Sequence, residues 1–256
     1  MSALDLLALA AAGAAAGAMN ALAGGGTLVS FPALVLAGLP AKVANATSTV
    51  ALVPGGAASL AGYWPEARSH RGWIAALAGP SLVGGALGSL LLLATPERWF
   101  ARLAPLLVLF ATALFAAQNR RRPAAAAAES PRPPAPGRAG GWAKAAQFGV
   151  AVYGGYFGAG IGILMLALLG ALRLTNIHAM NGLKNFFGIC INGVAAAVFV
   201  ISGNVDWRAC LPVLAGSVAG GYLGARFNRR IGQAWARRAV VAIGLLVTLL
   251  LAWQQI

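Results

Sequence analysis

Apolar residues run along this chain in long stretches separated by short polar or glycine-rich joints, without the strict alternation of a strand. Ten such segments stand out. The first five cover about 4–23, 27–41, 43–64, 72–94 and 98–118, and the last five about 142–158, 161–174, 177–203, 208–228 and 234–254. Most reach the roughly 20 residues that a helix needs to cross the hydrocarbon core of a bilayer. The second segment of each set falls short, and each of those two follows a glycine cluster. The pattern predicts an all-α fold: a polytopic transmembrane helical bundle.

Residues 119–141 (NRRRPAAAAAESPRPPAPGRAGG) differ in kind. Proline, alanine, arginine and glycine without apolar periodicity predict a disordered, solvated linker. Three regions follow: a first transmembrane repeat over 1–118, the linker over 119–141 and a second repeat over 142–256. Sliding the sequence on itself by 136 positions, the offset from Gly24 to Gly160, aligns the two sets without a gap. Gly13 then falls on Gly149, Gly26 on Gly162 and Asn45 on Asn181. The run Ser81, Gly84, Gly85, Leu87, Gly88 falls on Ser217, Gly220, Gly221, Leu223, Gly224, and the pair Trp99 and Arg102 on Trp235 and Arg238. Leu and Ala coincidences are cheap in such a composition, but an S-x-x-G-G-x-L-G run shared by both halves is not.

Composition agrees with lipid as the main solvent. Hydrophobic residues make up 59% of the chain and charged ones 9%, too few to cover a water-soluble surface. The formal net charge of +14 does not imply nucleic acid, because the basic residues sit in the breaks between apolar runs and form no basic face with interleaved aromatics. They do imply an orientation. With five crossings per half and the N-terminus outside, 14 of the 19 Lys and Arg fall inside, and only Lys42, Arg98, Arg102 and Arg208 fall outside. Lys184 lies within a span. An odd number of crossings makes the second repeat inverted relative to the first, a common plan for secondary transporters. If the second segments merely dipped in and returned, four crossings per half would make the repeats parallel. This orientation makes the linker cytoplasmic. The start of the chain lacks a basic n-region, which favours a first spanning helix over a cleaved signal.

Candidate chemistry gathers where helix is disfavoured. Ala23-Gly24-Gly25-Gly26-Thr27 and Gly158-Ala159-Gly160-Ile161-Gly162 occupy the same place in each half. Irregular backbone in a membrane must be buried in protein or line a wet cavity. A helix restarting after such a break aims free N–H groups and a positive dipole end at the gap, which suits an anion. Close helix packing is the competing explanation for these glycines, and the favoured one for Gly84-Gly85-x-x-Gly88 and Gly220-Gly221-x-x-Gly224. The third segment of each half is polar: Asn45, Thr47, Ser48 and Thr49 in the first, and Asn181, Lys184, Asn185 and Asn192 in the second. Asn181, Asn185, Gly188 and Asn192 share one stripe, facing protein or water because asparagine in lipid is costly. Lys184 either snorkels to the surface or balances a bound anion. Asn20 is a further candidate. The substrate-binding set read from the sequence is thus Asn20, Gly24, Gly25, Gly26, Thr27, Asn45, Ser48, Gly158, Gly160, Gly162, Asn181, Lys184, Asn185 and Asn192. No acidic residue lies deep in a span, and Cys190 and Cys210 read as small buried hydrophobes.

The glycine clusters followed by short apolar helices, the polar start of the third segment, Gly203-Asn204-Val205-Asp206-Trp207, the S-x-x-G-G-x-L-G runs and the duplication together resemble the TauE/SafE family. The resemblance covers nearly the whole chain outside the linker. It implies a plasma-membrane permease, with sulfite and small organosulfonates as substrates. There are departures: Leu22 stands where the second copy has Gly158, Ile161 interrupts the second cluster, and Pro32 corresponds to Leu168.

A secondary permease for a small anion, working by alternating access, is therefore the leading expectation. Its partners are a small anionic solute and the lipid bilayer, with no nucleic acid, no metal, no cofactor and self-association left open. A built-in ATPase lacks its G-x-x-x-x-G-K-[ST] signature. An intramembrane enzyme lacks a catalytic set, with two histidines and no paired carboxylates in the membrane. A non-transporting scaffold, or a permease for an unrelated small solute, remains the alternative.

Overall fold

The computed structural model describes residues 1–22, 24–118, 140–227, 241–242, 244–246 and 248–249. The linker, apart from Gly140 and Gly141, lies outside the described residues, as do Ala23 and most of the tenth segment. Nine helices are defined within them: α1 (Ala3–Leu22), α2 (Thr27–Leu36), α3 (Ala41–Arg68), α4 (Arg71–Ala94), α5 (Glu97–Gln118), α6 (Gly141–Tyr156), α7 (Ile161–Ala171), α8 (Ile177–Ile201) and α9 (Trp207–Phe227). The protein is an all-α helical bundle. By length and apolar composition α1, α4, α5 and α8 qualify as membrane spans, and α2 and α7 are short apolar helices.

Glycine sets how closely the long helices approach. A methyl group at Gly13 would strike the Val213 carbonyl oxygen, one at Gly17 that of Ser217, and one at Gly224 the Cα of Ala18. Contacts that advance together in both helices mean that α1 and α9 run parallel. Gly84 against Phe148 and Gly88 against Val152 make the same parallel seam between α4 and α6. Backbones this close gain dispersion contact without ordering any side chain, which is how helices associate where lipid supplies no hydrophobic drive. α3 and α8 instead cross antiparallel: Gly56 meets Ile189, Ser59 meets Asn185, and Tyr63 meets Gly182. Close crossings recur at the 136-residue offset, with Gly85 on Ile191 and Gly221 on Gly55.

At 1.5 Å per residue, α2 (10 residues) and α7 (11 residues) are roughly 15 and 16 Å long. Both are shorter than the roughly 20 residues that a helix needs to cross the hydrocarbon core. α2 begins at the middle of the bundle, passes Ser48 through Ser30, and joins the start of α3 through Ala37–Pro40. α7 returns likewise toward the start of α8, where Gly170 meets Met180. α1 with α2, and α6 with α7, therefore form two helical hairpins that turn at Gly24 and Gly158. Parallel repeats would instead make α3 and α8 parallel.

The hairpin tips are anchored by buried aromatic rings. Phe157 packs edge-on against Phe31 of α2 at 5.4 Å between centroids, and tilted against Phe100 of α5 at 6.3 Å. Such pairs contribute about 0.5–1.5 kcal/mol each beyond the area they bury. Polar clips hold the helix ends. Lys42 Nζ donates to the carbonyls of Leu93 (2.6 Å) and Thr95 (3.0 Å) at the end of α4, while Glu97 accepts from the Lys42 amide at the start of α3.

Candidate solute-binding site

Both hairpins bend where a left-handed residue stops the first helix. Gly24 (φ 79°) and Gly158 (φ 81°) adopt a conformation that costs an L-residue roughly 1–2 kcal/mol. Their amides close back on Met19 (3.1 Å) and Tyr153 (3.4 Å), as at helix C-termini that end in glycine. The two tips touch: a Cβ at Gly24 would come within 2.6 Å of the Gly162 Cα.

A cavity of about 50 Å³ opens beside this contact. It has room for a few waters or one small oxyanion, given the roughly 10–15 Å³ that a single water requires. From the first hairpin it is lined by Asn20, Gly24 and Thr27, and from the second by Gly158, Ile161 and Gly162. α3 adds Leu52, Val53 and Gly56, and α8 adds Lys184, Asn185, Gly188, Ile189 and Asn192. The cavity sits near mid-helix, since Gly56 lies 15 residues after Ala41 and 12 before Arg68, and Ile189 lies 12 residues from either end of α8.

Three features give it positive character. α2 and α7 both start here without a side-chain cap, so their positive dipole ends face the gap, while the Leu28, Val29, Ile163 and Leu164 amides already bond to the carbonyls of Gly25, Gly26 and Gly160. Lys184 is 2% exposed and does not snorkel; its Nζ donates to the Asn20 carbonyl oxygen at 3.3 Å. Asn20 in turn accepts the Gly26 amide on Oδ1 at 2.8 Å, which ties the end of α1 to the start of α2 and leaves its own amide N–H groups free. The repeat-related carbonyl, that of Tyr156, is served by Asn45 Nδ2 at 3.0 Å. Each first helix thus has its end carbonyl satisfied by a third helix of the other half.

Of the residues expected from the sequence, the cavity gathers Asn20, Gly24, Thr27, Gly158, Gly162, Lys184, Asn185 and Asn192. Six are placed elsewhere. Gly25 backs onto the Phe115 ring, and Gly26 onto Ala16 and Asn20. Gly160 caps α7 near Ala111 and Leu114. Ser48 pairs with Ser30 at 2.6 Å, Asn45 reaches Tyr156, and Asn181 lies buried one turn before Asn185. Composition could not single out the apolar wall of Leu52, Val53, Ile161, Met165 and Ile189. The repeat offset could have: Leu52 and Gly188, Val53 and Ile189, and Gly56 and Asn192 are repeat-related pairs, and all six line the cavity.

Comparison with known proteins bears on this geometry. The family model described as "Sulfite exporter TauE/SafE" matches residues 9–251. A Haemophilus influenzae protein described as "Probable membrane transporter protein" is 28% identical over 278 residues, covering 98% of this chain and 96% of that one. No solved structure matches.

Proposed function

The chain belongs to the TauE/SafE family of membrane transporters, and we propose that it is a secondary permease for a small anion, sulfite or a small organosulfonate, bound at the meeting point of its two hairpin tips. The observation that carries this reading is the convergence, in one mid-helix cavity, of two uncapped helix N-termini and the buried ammonium of Lys184. Asn20 positions both the first helix restart and Lys184. Asn185, Asn192 and Thr27 supply neutral polar contacts, and Leu52, Val53, Ile161, Met165 and Ile189 exclude bulk water.

The two halves act as inverted copies exchanging roles around this cavity. Support comes from the antiparallel crossing of α3 and α8 and from the matched contacts Gly85–Ile191 and Gly221–Gly55. The cavity lies between these copies, so rocking one against the other exposes it alternately to either face. The charge asymmetry of the loops supports an orientation with the N-terminus outside and the linker in the cytoplasm.

Uptake of labelled sulfite or a small sulfonate into vesicles carrying the purified protein tests the reading. Protein-dependent flux is the expected result. Lack of flux for every small anion tried, from either side, refutes it.

A further inference from the structure

The charge of an anion does not say whether it still carries a proton. Among the described residues, Lys184 is the one charged residue lining the cavity, and no carboxylate lines it. A monoanion is matched by Lys184 alone, whereas a dianion would rely for its second charge on the partial charges of the two helix starts, whose first-turn amides at Leu28, Val29, Ile163 and Leu164 are already bonded to nearby carbonyls. The cavity also presents acceptors that a fully deprotonated anion cannot satisfy. Asn192 Oδ1 is buried without a hydrogen-bond partner. It stands on the open side of Gly158, 3.8 Å from where a Cβ there would sit. Asn185 directs its Nδ2 to the buried Ser59 Oγ at 3.0 Å, leaving a carbonyl oxygen as its remaining polar atom. Opposite these oxygens, Lys184 keeps two N–H donors beyond the one given to Asn20, and the Asn20 amide supplies two more.

We infer that the site selects a small, singly charged oxyanion that retains a hydroxyl proton. Its charged oxygens face Lys184 and the starts of α2 and α7, and its hydroxyl donates to Asn192 Oδ1. A 50 Å³ cavity fits an anion of three or four oxygens. The inference rests on the cavity being an anion site and narrows that reading, favouring hydrogen sulfite over an organosulfonate, whose SO3 group carries no proton.

Hydrogen carbonate and nitrate separate the two ideas, since they share charge and planar three-oxygen shape and only the former carries a hydroxyl. Thermal-shift titration of the purified full chain, at a pH where hydrogen carbonate prevails, should show it binding about tenfold more tightly than nitrate, as one added hydrogen bond to a buried acceptor implies. Asn192→Ala should bring the two within about twofold; the repeat-related position is Gly56, so a small residue suits this level of the bundle. Equal affinities in the unmodified protein overturn the inference without needing the variant to fold. A preference that survives Asn192→Ala, or binding of sulfite with no binding of hydrogen carbonate, also overturns it. Silence of all three anions instead removes the anion site itself.

Discussion

Replacing Lys184 by methionine should move binding and stability in opposite directions. In the ligand-free protein the ammonium is 2% exposed and donates to a carbonyl oxygen at 3.3 Å. A hydrogen bond from a charged group contributes roughly 1.5–3 kcal/mol, whereas burying an ion costs several kcal/mol. Methionine has similar volume and no charge, so the ligand-free protein should hold its melting temperature or gain about 1–2 kcal/mol. A bound anion loses far more. Unit charges 4 Å apart attract by about 4 kcal/mol at an effective dielectric constant of 20. Dehydrating the anion offsets part of that, leaving about 2–3 kcal/mol, or a 30- to 140-fold weaker dissociation constant at 1.4 kcal/mol per decade. Thermal-shift titration with sulfite, on the unmodified chain and on Lys184→Met, reads both quantities in one experiment. An affinity unchanged within twofold takes Lys184 out of the site. A ligand-free variant destabilised by more than about 3 kcal/mol would show the lysine to be one partner of a structural ion pair.

Other outcomes follow from the same geometry. Gly24→Ala should abolish uptake and destabilise the protein by about 2 kcal/mol or more, because it adds left-handed strain to a clash with Gly162; flux and melting assays on one preparation check this, and normal uptake refutes contact between the tips. Gly220→Ala should cost about 1–3 kcal/mol in a thermal melt, since its methyl group would overlap the Ala14 carbonyl. Gly79→Ala, on a helix with nothing near the new methyl, should be neutral or stabilising by up to about 1 kcal/mol. Cysteines at Gly38 and Gly203, both in open loops on the face where α3 begins, should react with an impermeant thiol reagent added from outside to intact cells; labelling only after permeabilisation reverses the proposed orientation.

Helix positions were legible in the sequence because apolar runs and glycine breaks mark them directly. α4 at Arg71–Ala94 and α8 at Ile177–Ile201 lie within a residue or two of the segments read from the chain. The bends at Gly24 and Gly158 were legible for the same reason. What hid was direction and facing. A short apolar helix reads the same whether it crosses or turns back, so the return of α2 and α7 appears only through Ser30 on Ser48 and Gly170 on Met180. Ser48 and Asn45 looked like site residues because polar atoms in a membrane need a reason, and a neighbouring helix supplies a partner for each, Ser30 for Ser48 and the Tyr156 carbonyl for Asn45. The apolar cavity wall was invisible because lipid-facing and core-facing leucines carry the same letter.

The close seam between α1 and α9 also has a consequence for biosynthesis. Once made, α1 finds its main neighbour only after some two hundred further residues have been added, roughly ten to forty seconds at 5–20 residues per second. During that wait its bare glycine face must be held by lipid or by a chaperone, and an N-terminal fragment ending at the linker should be a target for quality-control proteases until its other half is synthesised.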